Sequence, residues 1–355
     1  MDKIKPIRFK STPMVLVALV VVFAGISYAQ SIVNPLLMAL FTGIILIQPI
    51  RWLVKKKVPP WLAVLIVILL LLSVYLVFFK LLLTSWSLFQ ENAPIYEENL
   101  DNLTQSALGI LSRFGMDMSS IGDSNILDPS EVVGYTAVVA NKLGELMSRE
   151  FTFLLLTIFL LTELESISLK TKALSKGTTV SLEYLRSIGD SIRHYLSIKT
   201  VTSLLTGAMI AVCLALVGVD YPILWGLVAF VLNYIPNIGS FIAAIPTVAF
   251  ALIQLGYEGA FWTAVIFVVV NIVIGNIIEP RMMGRGMGLS TFVVFFALIF
   301  WGFILGPIGM FLSVPLTMFI KLMTDHNPKT KWIAIILGTR EEALARLKSR
   351  SEEEE

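Results

Sequence analysis

The chain has one cysteine, Cys213, which lies inside an apolar run. No disulfide can form within a single copy. Histidine is nearly as scarce: His194 and His326 are far apart and join no Cys/His cluster, so neither a structural nor a catalytic zinc site is expected. Charge is sparse too, at 15 % of residues, against about 25 % in soluble globular proteins. There is no G-x-x-x-x-G-K-[ST] loop, so nucleotide hydrolysis by that route is excluded. No Ser-His-Asp or nucleophile-elbow pattern is present. The expectation is a non-enzyme with no cofactor, no bound metal and no nucleic-acid partner.

Apolar residues are abundant, at 56 %, and the mean hydropathy is +0.83. Both values point to a protein whose solvent is the bilayer, an all-α polytopic membrane protein. A spanning helix needs ~20 apolar residues. Apolar segments run from about Pro13 to Val33, Pro35 to Val54, Trp61 to Leu83, Phe151 to Leu164, Val201 to Val219 and Phe261 to Ile278. About six full spans are therefore expected. Lys3, Lys5, Arg8 and Lys10 precede the first, which reads as a retained signal anchor rather than a cleaved leader.

Basic residues collect on the cytoplasmic side of membrane proteins. The N-terminal arm, the Arg51/Lys55/Lys56/Lys57 cluster, the loop with Lys170, Lys172, Lys176, Arg186, Arg193 and Lys199, and the tail with Lys329, Lys331 and Arg340 all fit that side. Residues 89–150 are acidic and fall outside, as an amphipathic helical insert. Both termini are then cytoplasmic, in a bacterial inner membrane. The expected organisation is 1–88 for the first three membrane segments and 89–150 for the periplasmic insert. Residues 151–325 form the transport core, and 326–355 the cytoplasmic tail.

Two further apolar stretches, about 222–255 and 289–323, are broken by Pro and Gly. The first reads Asn233-Tyr-Ile-Pro236-Asn237-Ile-Gly239-Ser240-Phe241. The second reads Phe300-Trp-Gly-Phe-Ile-Leu-Gly306-Pro307-Ile308-Gly309. Each has only about a dozen apolar residues on either side of its break, so each is expected to be a re-entrant hairpin. Ile238-Gly239-Ser-Phe241 with Pro246 resembles Ile308-Gly309-Met-Phe311 with Pro315, a short repeat separated by one crossing. Such paired, interrupted segments mark the binding site of secondary transporters.

The candidate site follows from these breaks. Asn233, Pro236, Asn237, Gly239 and Ser240 supply amides, a hydroxyl and freed backbone at the first tip, or cap its helix ends. Gly306, Pro307 and Gly309 offer backbone alone at the second, for shape and close packing. Asn271 and Asn276 lie within the last span, which Glu279 closes. Polar groups at membrane depth mark function by default. Glu279 either faces a cavity or pairs with Arg281 or Arg285 at the inner interface. Asp190, Arg193, His194 and Lys199 read as a membrane-surface face.

Leu232-Asn-Tyr-Ile-Pro-Asn-Ile-Gly-Ser240, Gly275-Asn-Ile-Ile-Glu-Pro-Arg-Met-Met-Gly-Arg-Gly286 and Phe300-Trp-Gly-Phe-Ile-Leu-Gly-Pro-Ile-Gly309 resemble the signature blocks of the autoinducer-2 exporter, or PerM-like permease, family. His194-Tyr-Leu-Ser-Ile-Lys-Thr200 and Pro35…Ala39-Leu-Phe41 fit the same pattern, and the similarity leans to its TqsA-type exporters. The resemblance covers about residues 10–325. It implies an inner-membrane exporter of a small signal molecule that assembles as a homo-oligomer, with a pentamer favoured. Other members are described as sodium or lithium/proton antiporters. Three functions stay open: export of a small polar furanone-type signal, monovalent cation/proton antiport, and a non-transporting envelope scaffold.

Overall fold

The computed structural model describes residues 11–113, 152–163, 182–236, 238–283, 288–326 and 330–354. Every regular element among them is helical: α1 (Ser11–Tyr28), α2 (Gln30–Lys55), α3 (Pro60–Arg113), α4 (Thr152–Glu163), α5 (Leu182–Val217) and α6 (Pro222–Leu232). There follow α7 (Gly239–Asn271), a π-helical turn (Ile272–Ile278), α8 (Glu279–Met283), α9 (Thr291–Leu305), α10 (Pro307–Asp325), α11 (Lys331–Leu337) and α12 (Arg340–Glu354). Backbone polar groups in lipid must be satisfied within the segment, and a helix does this. Five described segments are long and apolar enough to cross a bilayer: Gln30–Lys55, Pro60–Gln105, Ser187–Val217, Gly239–Met283 and Pro307–Asp325. This is an all-α, multi-pass membrane protein.

The surface is consistent with lipid. Leu69, Leu76, Leu204, Leu216, Ile245 and Phe303 point outward, while Thr157, Thr202, Ser203, Thr206, Thr247, Ser313 and Thr317 are buried. Several buried hydroxyls satisfy themselves on their own helix, as when Thr206 donates to the Thr202 carbonyl at 2.9 Å and Thr247 to that of Ala243 at 2.7 Å.

Helix limits differ from the apolar limits in three places. The first two segments part at Ala29, not before Pro35, which sits inside α2 together with Pro49. Helix α3 runs through residue 88 without a break to Arg113, so the polar insert begins as a continuation of the third membrane helix. The amphipathic inner helix and the fifth apolar segment are one helix, α5. Polarity changes along all three, but hydrogen bonding continues across the change. The rest of the insert, residues 114–150, lies outside the described residues, as do most of the basic loop and Arg285.

Helix α5 organises the core. Its first half supplies Ile188, Ile192, Tyr195 and Leu196 to a cluster with Phe41 of α2, Val293 and Val294 of α9, and Leu312, Val314 and Met318 of α10. Its second half supplies Ile210 and Leu214 to a cluster with Tyr96, Ala229, Phe250, Phe267 and Ile274. Between α5 and α6 the backbones touch: a Cβ on Gly207 would lie 2.6 Å from the Gly226 carbonyl oxygen, and one on Gly226 would lie 2.6 Å from that of Gly207. Small residues permit such approach where lipid supplies no hydrophobic drive between helices.

Both Pro/Gly stretches are broken in the structure. Helix α6 is 11 residues long, and α7 begins only after the Asn233–Ile238 interruption. Helix α7 is then sharply kinked at Gly256 (φ 73°, ψ −162°). In the second stretch one residue, Gly306 (φ 67°, ψ −151°), separates α9 from α10. The repeat is visible in three dimensions. A Cβ on Gly239 would sit 1.8 Å from the Leu232 carbonyl oxygen, and one on Gly309 would sit 1.9 Å from that of Trp301. In each, the returning arm packs on the last turn of the arm before it.

Candidate functional site: a cavity beside the first break

A cavity of about 860 Å³ opens against the middle of α5. Asn233, Pro236 and Ser240 from the first break line it, with Asn271, Gly275, Asn276 and Glu279 from the end of α7, the π-helical turn and α8. Tyr195 and Lys199 of α5 complete the polar wall, and Thr291, Val294 and Val314 close the other side. The π-helical turn is part of the device. Its wider winding interrupts the regular ladder and turns Gly275 and Asn276 toward the space; such turns recur at functional sites.

One feature of the wall was not expected. Glu279 pairs with Lys199 rather than with Arg281. Its Oε1 and Oε2 accept from Lys199 Nζ at 2.8 and 3.0 Å, and Thr202 Oγ1 lies 3.4 Å from Oε2. Lys199 is 5 % exposed, so its reading as a membrane-surface residue is corrected. Arg281 does not line the cavity. A signal was present in the sequence: Lys199, Thr202 and Thr206 recur at i, i+3 and i+7, on one face of α5. The first tip docks on that helix. Asn233 Nδ2 donates to Ser203 Oγ at 3.0 Å, and the Tyr234 hydroxyl donates to Thr200 Oγ1 at 2.8 Å.

Gly239 stands just off the cavity, against Leu232. Asn237 lies outside the described residues. Gly306, Pro307 and Gly309 are not on the cavity wall. Their break is closed by α2, whose Gln30 Nε2 donates to the Ile304 carbonyl at 2.7 Å and whose Asn34 Nδ2 donates to that of Leu305 at 3.0 Å. The second repeat reaches the cavity through Thr291, Val294 and Val314 instead. Tyr234 also stacks on Phe311, with ring centroids 4.5 Å apart, which joins the two broken regions directly. Among the described residues no three His, Cys, Asp or Glu side chains gather as a metal site would require.

Residues 16–329 match the family model described as AI-2E family transporter. The chain belongs to the AI-2E transporter family. It is 36 % identical to a putative transport protein of Haemophilus influenzae, over 90 % of this chain and 94 % of that one. It is also 36 % identical to the AI-2 transport protein TqsA of Escherichia coli K12, over 90 % and 93 %. A second Escherichia coli protein, the putative transport protein YhhT, is 33 % identical over 91 % and 93 %. With these spans and this family, the chain is a membrane transporter.

Proposed function

We propose that this transporter is a secondary exporter of a small, uncharged, hydroxyl-rich signal of the autoinducer-2 furanone type. It would act across a bacterial inner membrane, with both termini cytoplasmic. The cavity carries the reading. Its volume is in the range of small-molecule sites, about 300–1,000 Å³. Its polar groups are mostly neutral donors and acceptors: the amides of Asn233, Asn271 and Asn276 and the hydroxyl of Ser240. The two charges on its wall, Lys199 and Glu279, cancel each other at 2.8 Å and leave no net charge for an ion.

The broken stretches act as re-entrant hairpins in this reading. At 1.5 Å per residue, an 11-residue α6 reaches roughly 16 Å, about half of a bilayer core. Assembly as a homo-oligomer, a pentamer first, rests on the family resemblance alone. A second reading, monovalent cation/proton antiport, is favoured by Glu279 at the wall, where an entering cation would compete with Lys199 for the carboxylate. An envelope scaffold would need neither the cavity nor the irregular backbone around it.

Flux into proteoliposomes separates the readings. Furanone uptake that is indifferent to sodium and lithium is the expected result. Sodium- or lithium-driven proton movement without furanone flux would establish the second reading instead.

A further inference from the structure

The C-terminal helices lie on the far side of the cavity wall. Helix α10 presents Lys321 and Asp325, four residues apart, and α12 presents Glu342 and Arg346, also four apart. They interlock crosswise. Lys321 Nζ lies 2.6 Å from Glu342 Oε2, and Arg346 Nη2 lies 2.9 Å from Asp325 Oδ1. Arg346 also reaches Glu342 Oε1 at 3.1 Å, so Glu342 is held by two cations. Lys321 is 6 % exposed, an unusual burial for a lysine that serves only a tail. The clasp begins at Thr339, whose hydroxyl accepts from the Glu342 backbone N–H at 3.3 Å and so caps the start of α12.

The clasp also holds the wall. Lys321 Nζ donates to the Gly288 carbonyl, and the Ser290 backbone N–H donates to the Leu337 carbonyl at 3.2 Å. Gly288, at φ +68°, and Ser290 flank Leu289, which lines the large cavity along with Thr291 and Val294. A second cavity, about 170 Å³, lies alongside and is lined by Ser191, His194, Ile198, Met318 and Lys321. Tyr195 and Met283 line both spaces and stand between them.

We propose that α11 and α12 form a latch on the inner mouth of the transport path, with the small cavity as its vestibule and Tyr195 and Met283 as the partition. With the clasp closed, residues 288–291 are pinned and the large cavity is shut toward the vestibule. With Glu342 released, Lys321 loses its anchor, the pinned segment is free to move, and the partition opens. The latch rests on reading the large cavity as the transport site, but its state can be read without transport.

The test uses the purified full-length protein with Cys213→Ser and Val294→Cys, a buried reporter on the cavity wall. Labelling by a small water-soluble maleimide is followed with time. Glu342→Gln, and separately a chain ending at Gly338, should each raise the labelling rate at least tenfold without loss of the folded, monodisperse species. Salt should raise labelling of the parent, because the partly exposed Arg346–Asp325 pair is screened, and should leave the truncated chain unchanged. Labelling at the parent rate in both folded variants overturns the latch. Fast labelling without flux of furanone or cation leaves the latch standing and overturns the transport-site reading.

Discussion

The Lys199–Glu279 pair gives the sharpest test of the cavity. The perturbation is Glu279→Gln, which keeps shape and removes the negative charge. Lys199 would then be left at 5 % exposure with its two short contacts to a carboxylate gone. Breaking a buried pair by removing one partner costs about 3–5 kcal/mol. The cavity beside it lets water reach part of the freed ammonium, so the low end, about 3 kcal/mol, applies. Adding Lys199→Met removes the orphaned charge as well. Replacing both members by neutral side chains of similar size is commonly near neutral, so the double variant should recover at least half of the loss. Thermal unfolding of the purified protein, with both single variants and the double, reads this out. A Glu279→Gln protein as stable as the parent, or a double no better than the single, would refute the buried-pair reasoning. The same proteins divide the functional readings. An exporter of a neutral molecule keeps much of its flux in the double variant, whereas an antiporter that must load a cation on Glu279 loses it.

Gly239→Ala and Gly309→Ala should each lower stability by about 1–3 kcal/mol or block folding, since their Cβ atoms would sit 1.8 and 1.9 Å from backbone carbonyl oxygens. Gly25→Ala, with nothing within 4 Å, should melt with the parent and serves as the control. Topology is checked with single cysteines at Asn102 and Thr330 in a Cys213→Ser background. An impermeant thiol reagent should label the first in intact cells and spare the second, and the reverse pattern would invert the assignment.

The breaks were legible because Pro and Gly act locally. Gly306 marks the second interruption in the sequence and carries the left-handed backbone in the structure. Asn233, Ser240, Asn271, Asn276 and Glu279 were legible as polar groups in apolar surroundings, and the fold gathers them on one wall. The partner of Glu279 was not legible. Lys199 stands 80 residues away and directly follows a basic, amphipathic run, so charge patterning drew it toward the membrane surface. Its threonine-lined face is what places it inside. Element limits were misread for a related reason. Polarity changes at residues 88 and 198, but nothing there interrupts hydrogen bonding, so α3 and α5 continue through them.

The two halves of the repeat share a backbone device but differ in who satisfies it. In both, a glycine lets the returning arm press on the carbonyl of the arm before. A freed carbonyl in lipid must find a donor, from protein or from water in a cavity. At the second break the donors are side chains, Gln30 and Asn34 of α2, and α1 seals the outside with Phe23 set edge-on to Phe300 at 5.1 Å. At the first break the neighbourhood is a cavity, and Asn233 and Ser240 stand at its wall. The first two helices therefore do more than add span: they convert one of two similar breaks into closed structure. That leaves the first break bordering a cavity. The Tyr234–Phe311 stack gives the closed half a direct hold on the open one. Phe311 of α10 is thus a point at which the second half touches the first tip.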